Sequence, residues 1–178
     1  MLSHDRLVEL LHYDPLTGVF HRLKHTTEGQ GGCRWHSLLG RPCGWRQGHG
    51  YIGIRVEGRK YAAHRLAWFY VHGVWPEGEI DHRNGVPSDN RIANLRDATH
   101  QQNVQSRKIG AANKTGVKGV HWSLYSRGKG RGRRGRWIAT IGDGKRQRRI
   151  GRFKTFEEAV AAREAAARAL HGEFYRER

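Results

Sequence analysis

The stretch EIDHRNGVPSDNRIANL, residues 79–95, decides how this chain is read. A short β-like run ends by delivering an acid and an imidazole side by side, Asp81 and His82. Neighbours in an extended segment point in opposite directions, so the two side chains can serve different sides of one bound group. A polar loop with Asn84 and Asn90 follows, then Asn94. Asn84 and Asn90 read as loop-formers that tolerate left-handed backbone. An isolated Asp-His pair is also what a solvated turn looks like, so the surrounding sequence has to choose.

Working upstream, Trp75-Pro76 forces an extended approach to residue 79. Before it, YIGIRV, EGRK and YAAHRLAWFYVHG read as a hairpin followed by a helix. Glu57-Gly58 supplies the turn, Leu66, Phe69 and Tyr70 fall at helical spacing, and Gly73 ends the helix. SHDRLVELLH, residues 3–12, predicts a helix with Ser3 as N-cap, and the turn YDPLTG leads into the strand VFHRLK. Residues 25–50 read as an extended loop rich in glycine and polar residues.

Downstream, RIANLRDAT reads as short and semi-extended. Thr99-His100-Gln101-Gln102 has the form of a capping box, which places Asn103 about one turn inside a helix. SRKIGAANKTG, residues 106–116, reads as a basic, flexible linker. The last block differs in character. GVKGVHWSLY, GRWIATIG and KRQRRIGRF are three strand-like runs, and a second capping box, Thr155-Phe156-Glu157-Glu158, opens an alanine-rich helix ending near His171-Gly172. The fold class expected is α+β, with a C-terminal three-stranded antiparallel sheet backed by one helix.

The 178 residues carry a formal charge of +17, which calls for a polyanionic partner; with six Trp and six Tyr among the basic residues, that partner is nucleic acid. Two cysteines, Cys33 and Cys43, are too few for a disulfide framework and point to a reducing compartment. No apolar run reaches membrane length, and MLSHDRLVELL is not a signal peptide. A soluble, cytoplasmic protein without membrane contact is expected.

A phosphodiester is shielded by its own negative charge. Its hydrolysis needs an activated water and positive charge at the phosphate. A neutral histidine supplies the base. A carboxylate and an amide oxygen suit Mg²⁺, which prefers hard oxygen ligands. The 79–95 stretch and the helix after it offer all of these groups.

The run HRLAWFYVHGVWPEGEIDHRNGVPSDNRIANLRDATHQQNVQSR resembles the HNH endonucleases of the phage and intron-homing type, in the group with His-Asn-Asn rather than His-Asn-His. The ordered residues are Asp81-His82, Asn94-Leu95 and Asn103, and YDPLTGVF and GYIGIRVEGRKYAAHRLAW are similar to that group too. The resemblance implies a ββα-metal core, with His82 as general base, Asn94 supporting it, and Asp81 and Asn103 holding a divalent ion. An oxygen ligand at Asn103 favours Mg²⁺ or Mn²⁺ over Zn²⁺. His100 is a rival ligand, and His64 reads as a structural histidine within reach of the site.

The last block resembles the AP2 domain, a DNA-binding module, through GVKGVHW, GRWIATI and RRIGRFKTFEEAVAAREAAARALHGEF. The resemblance implies that Arg136, Trp137, Arg148 and Arg149 contact duplex DNA, with Lys118 and Trp122 at the first strand. Trp122 and Trp137 are equally readable as core residues of the sheet. The first strand departs from the plant pattern: His121, Trp122 and Ser123 follow Gly119-Val120 where plant domains have arginines. The expected organisation is a nuclease domain over residues 1–107 (core about 62–107), a linker over 108–116 and a DNA-binding domain over 117–178. The activity expected is that of a metal-dependent DNA endonuclease, a monomer or dimer on DNA, with homing among the roles that the resemblance implies. The rival readings are a non-catalytic DNA-binding regulator and a structural RNA-binding protein.

Overall fold

The computed structural model describes residues 2–24, 39–106, 109, 113–126, 133–142 and 146–175. Cys33, most of the 25–50 segment and part of the 106–116 stretch lie outside these, as do residues 127–132 and 143–145 of the Gly-rich turns. The chain divides into two compact units, Met1–Thr99 and His100–Arg178.

In the first unit, α1 spans His4–Leu10 and Ser3 caps it, its Oγ accepting from the Arg6 amide at 3.3 Å. The helix is shorter than the sequence predicts. Leu11 already has extended backbone and opens β1 (Leu11–Asp14), so Leu7, Leu10, Leu11 and Tyr13 all reach the core. β2 (Val19–Arg22) pairs antiparallel with β1 across the Pro15–Gly18 turn. Part of the segment expected as loop is ordered: β3 (Pro42–Cys43) extends this sheet, and β4 (Trp45–Arg46) pairs with the next.

The predicted hairpin and helix follow. β5 (Ile52–Val56) and β6 (Arg59–Ala62) turn through Glu57 and Gly58, whose φ values of 48° and 74° make a turn of the kind that suits strand twist. α2 (Ala63–His72) closes on Gly73, left-handed at φ 72°. Leu66, Ala67 and Phe69 from α2 pack with Leu7, Leu10, Tyr13, Phe20, Ile54 and Ile80 in one core. β7 (Glu79–His82) then pairs antiparallel with β8 (Leu95–Ala98). The run read as semi-extended is therefore a short 3₁₀ turn (Ile92–Asn94) followed by a full strand partner.

In the second unit, α3 (His100–Ser106) follows the predicted cap. The C-terminal half of the expected linker is built: the Asn113 side-chain oxygen accepts from the amides of Thr115 and Gly116, and Thr115 Oγ1 donates to the Val120 carbonyl at 2.8 Å. β9 (Val120–Ser126), β10 (Arg133–Gly142) and β11 (Gln147–Phe153) form an antiparallel sheet in the order β11-β10-β9, with a bulge on β11 opposite Ala139–Thr140. α4 (Phe156–His171) covers one face, and Ala159 is fully buried against Val120 and Ala139. Small side chains on α4 permit this close approach.

The second capping box is complete. Thr155 Oγ1 accepts from the Glu158 amide at 3.2 Å, and Glu158 Oε2 accepts from the Thr155 amide at 3.4 Å. Thr155→Ala should therefore lower stability by about 1 kcal/mol. The check is the urea midpoint of the purified chain; an unchanged midpoint would show that the box adds nothing in this setting.

Candidate active site

Register explains the Asp81-His82 pair. Residues directly opposite in an antiparallel pair share a face. Asp81 lies opposite Arg96, and His82 lies opposite Leu95. The acid and the imidazole therefore project to opposite sides of the β7–β8 hairpin, as the extended backbone requires. Both are buried, at 4% and 5% exposure.

Asp81 has a partner that sequence reasoning missed. Arg96 donates to Asp81 Oδ2 from Nε at 2.9 Å and from a terminal nitrogen at 2.7 Å. Arg96 is itself 6% exposed, so this is an ion pair withdrawn from water. The signal was available: once 79–82 and 95–98 are aligned as antiparallel strands, Arg96 falls across from Asp81.

The loop between the strands is organised around Asn94. The Asn94 carbonyl accepts from the Arg83 amide at 2.8 Å, its side-chain oxygen accepts from the Asn84 amide at 3.0 Å, and its Nδ2 donates to the Asp89 carbonyl at 2.7 Å. Among these contacts Asn94 holds the loop and not the imidazole. Asp89 adds a second clamp, accepting from Asn84 Nδ2 and Arg91; hydrogen bonding to Arg91 is the main reason its carboxyl is pushed down to about 2.

Asn90, one of the two asparagines read as loop-formers, is a side chain that meets His82. His82 Nε2 and Asn90 Oδ1 are 3.4 Å apart, and Asn90 is only 2% exposed. Asn90 Nδ2 donates to the Ser88 carbonyl, which leaves the amide oxygen turned toward the ring. The main chain of Asn90 is fixed from the N-terminal hairpin, because the buried Tyr13 hydroxyl donates to its carbonyl at 2.7 Å. Burial pushes the Tyr13 hydroxyl well above its ordinary range. Gly18, at φ 74°, lies so close that a Cβ there would come within 2.4 Å of the Arg91 nitrogen. The YDPLTG turn is thus the buttress of the loop that carries Asn90.

Tyr13→Phe leaves the buried Asn90 carbonyl without that donor. It should cost about 1–2 kcal/mol, read as a lower urea midpoint, and equal midpoints for the two proteins would contradict the buttress.

Two more rings surround His82. The His64 and His82 ring centres are 5.2 Å apart at 80°, and Tyr51 lies 5.3 Å from His64 and 5.9 Å from His82. Burial, with the neighbouring His82 next in size, pushes the His64 imidazole down to about 3, so it is neutral at working pH.

Asn103 lies on α3 in the second unit, as does His100. In that unit the sheet has two unlike faces. Val120, Trp137, Ala139 and Phe153 share the face covered by α4, and Trp137 packs on Phe156 with ring centres 4.8 Å apart. Trp122, opposite Trp137, meets it edge to face, lies over Gly135 and stays 50% exposed. The other face carries Arg136 opposite Ser123, Arg149 opposite Thr140 and Arg152 opposite Ile138. Arg148 pairs with Ile141, which turns it to the α4 side, where it remains exposed. Lys118 sits half-buried in the turn before β9.

Against known proteins, a family model described as HNH endonuclease matches residues 61–105. A curated relative, Protein 3.8 of Escherichia phage T7, is 32% identical over 114 residues, which is 64% of this chain and 87% of that protein. The chain belongs to the HNH endonuclease family. The matched segment runs from β6 through α3 and so takes in Asp81, His82, Asn94 and Asn103. An HNH endonuclease domain implies a hydrolase whose substrate is DNA. No solved structure matches the chain. Among the described residues no helix is long and apolar enough to cross a membrane.

Asp81 is a carboxylate, a hard oxygen donor of the kind that Mg²⁺ or Mn²⁺ takes, and the side-chain amide oxygen of an asparagine such as Asn103 is a donor of the same class.

Proposed function

We propose that the HNH domain hydrolyses a phosphodiester of duplex DNA with His82 as general base. The observation that carries this reading is the hydrogen-bond partner of the imidazole. An amide oxygen can only accept, so Asn90 Oδ1 selects the tautomer with the proton on Nε2. The lone pair is then on Nδ1, the atom that takes the proton from an attacking water. His82 is buried, and a neutral imidazole is the form that can take up a proton. Asn94 acts at one remove, by fixing the loop that carries Asn90.

Asp81, aimed by Arg96, supplies one ligand of a divalent ion, Mg²⁺ or Mn²⁺. Asn103 is the second ligand that the family resemblance assigns. When bound, such an ion offsets the negative charge that builds on the phosphate during attack. Water attack with departure of the 3′ oxygen leaves a 5′-phosphate and a 3′-hydroxyl. A single base cuts one strand in each engagement. The test of the chemistry is therefore a nicked plasmid treated with DNA ligase and no kinase. Resealing supports the reading, and nicks that reseal only after end repair would overturn it.

The C-terminal sheet positions the chain on DNA. Arg136, Arg149 and Arg152 share the face turned away from α4, and charge there attracts phosphate whatever the sequence. Lys118, Arg148 and Trp122 add contacts around it, whereas Trp137, packed on Phe156, serves mainly to hold the sheet. The Arg136→Ala, Arg149→Ala double variant should reduce the slope of log affinity against log salt by about 2; an unchanged slope places the DNA elsewhere. Kinship with a phage protein supports action in the cytoplasm of a bacterial host.

A further inference from the structure

We propose that His64 is a second imidazole of the active site and contacts the scissile phosphodiester as a neutral hydrogen-bond donor. The inference rests on the nuclease reading and adds a residue to it. The His64 Nδ1 is enclosed and, among the described residues, has no hydrogen-bond partner. Because Nδ1 is enclosed, a partner from outside the protein has to reach this ring through Nε2. The residue as a whole is only half-buried. A neutral imidazole carries one proton. Enclosed without an acceptor, Nδ1 is the poorer place for it, which favours the tautomer with the proton on Nε2. That donor stands beside the proposed base, with 5.2 Å between the two ring centres. Tyr51, 36% exposed, flanks both rings from the surface side.

A cation would not do the same work here. The desolvation that keeps His64 neutral also keeps it from competing with His82 for the proton of the water. A neutral donor strengthens its bond to a phosphate oxygen as that oxygen gains charge, with no proton changing hands. Hydrolysis stays balanced: the water proton goes to His82, the new P–O bond forms, the P–O3′ bond breaks, and the leaving 3′ oxygen takes a proton from solvent water to become the 3′-hydroxyl. His64 only donates a hydrogen bond.

The experiment compares His64→Gln with His64→Met, two side chains of nearly equal length. The glutamine amide keeps a donor at about the reach of Nε2, whereas the methionine does not. Nicking of supercoiled plasmid in Mg²⁺ is read as a single-turnover rate, with DNA affinity in EDTA and melting temperature measured alongside. His64→Met should lose about 100-fold in rate, and His64→Gln should recover at least about tenfold of that, with affinity and melting temperature alike in the two variants. Equal rates for the two variants would overturn the inference, as would a loss that follows melting temperature. Wild type and His82→Ala run in parallel: if the two behave alike, the nuclease reading itself has failed and this inference falls with it.

Discussion

Replacing Arg96 by methionine should lower the stability of the chain by about 3–5 kcal/mol. The reason is not the worth of the ion pair. A buried pair often contributes little against a hydrophobic substitute, because both charges had to leave water. The loss comes from what remains. Asp81 is 4% exposed, and without Arg96 its charge has lost the guanidinium that offsets burial. The control is Asp81→Asn combined with Arg96→Met, which removes both charges and should recover a large part of the loss. Urea unfolding of the three proteins decides it. A single variant within about 1 kcal/mol of wild type would show that the pair is solvated in practice.

The second large effect is on rate. His82→Ala should slow strand cleavage by about 10²–10⁴-fold, with little change in the affinity for DNA. The base is lost, yet the backbone around it is held independently: the His82 carbonyl accepts from the Gly85 amide at 2.8 Å, and the β7–β8 pairing does not depend on the ring. Single-turnover cleavage with saturating protein separates this loss from any change in binding. If the variant retained the wild-type rate, the base would be another residue.

Much of this architecture was legible in the sequence because its signals are local. Ser3 and Thr155 announce their helices by cap chemistry, and Gly73 ends α2 by its left-handed backbone. Three strands and a helix in the last block follow from alternating apolar runs between glycine-rich turns. The Asp81-His82 step was readable for the same reason, since opposite projection is a property of any extended dipeptide. What stayed hidden depends on contacts between distant segments. Tyr13 and Asn90 are 77 residues apart, and nothing near either predicts their hydrogen bond. By sequence Asn90 reads as a loop-former, as loop asparagines usually do; its closeness to His82 emerges only once the loop is folded back through Asn94. Leu11 continued the apolar pattern of α1 so well that the helix seemed to run to His12, yet sheet pairing with β2 claimed it for a strand. Trp137 was ambiguous for a different reason. A tryptophan on a strand fits either face, and only the bulky neighbour Phe156 on α4 determines which.

The most direct measurement of the central claim uses supercoiled plasmid incubated with purified wild-type protein in Mg²⁺ and in EDTA, beside His82→Ala prepared identically. The account predicts relaxed or linear DNA only from wild type with metal present. Cleavage that persists in EDTA, or that His82→Ala performs equally well, would contradict it, and so would tight DNA binding by wild type with no strand cut in either Mg²⁺ or Mn²⁺.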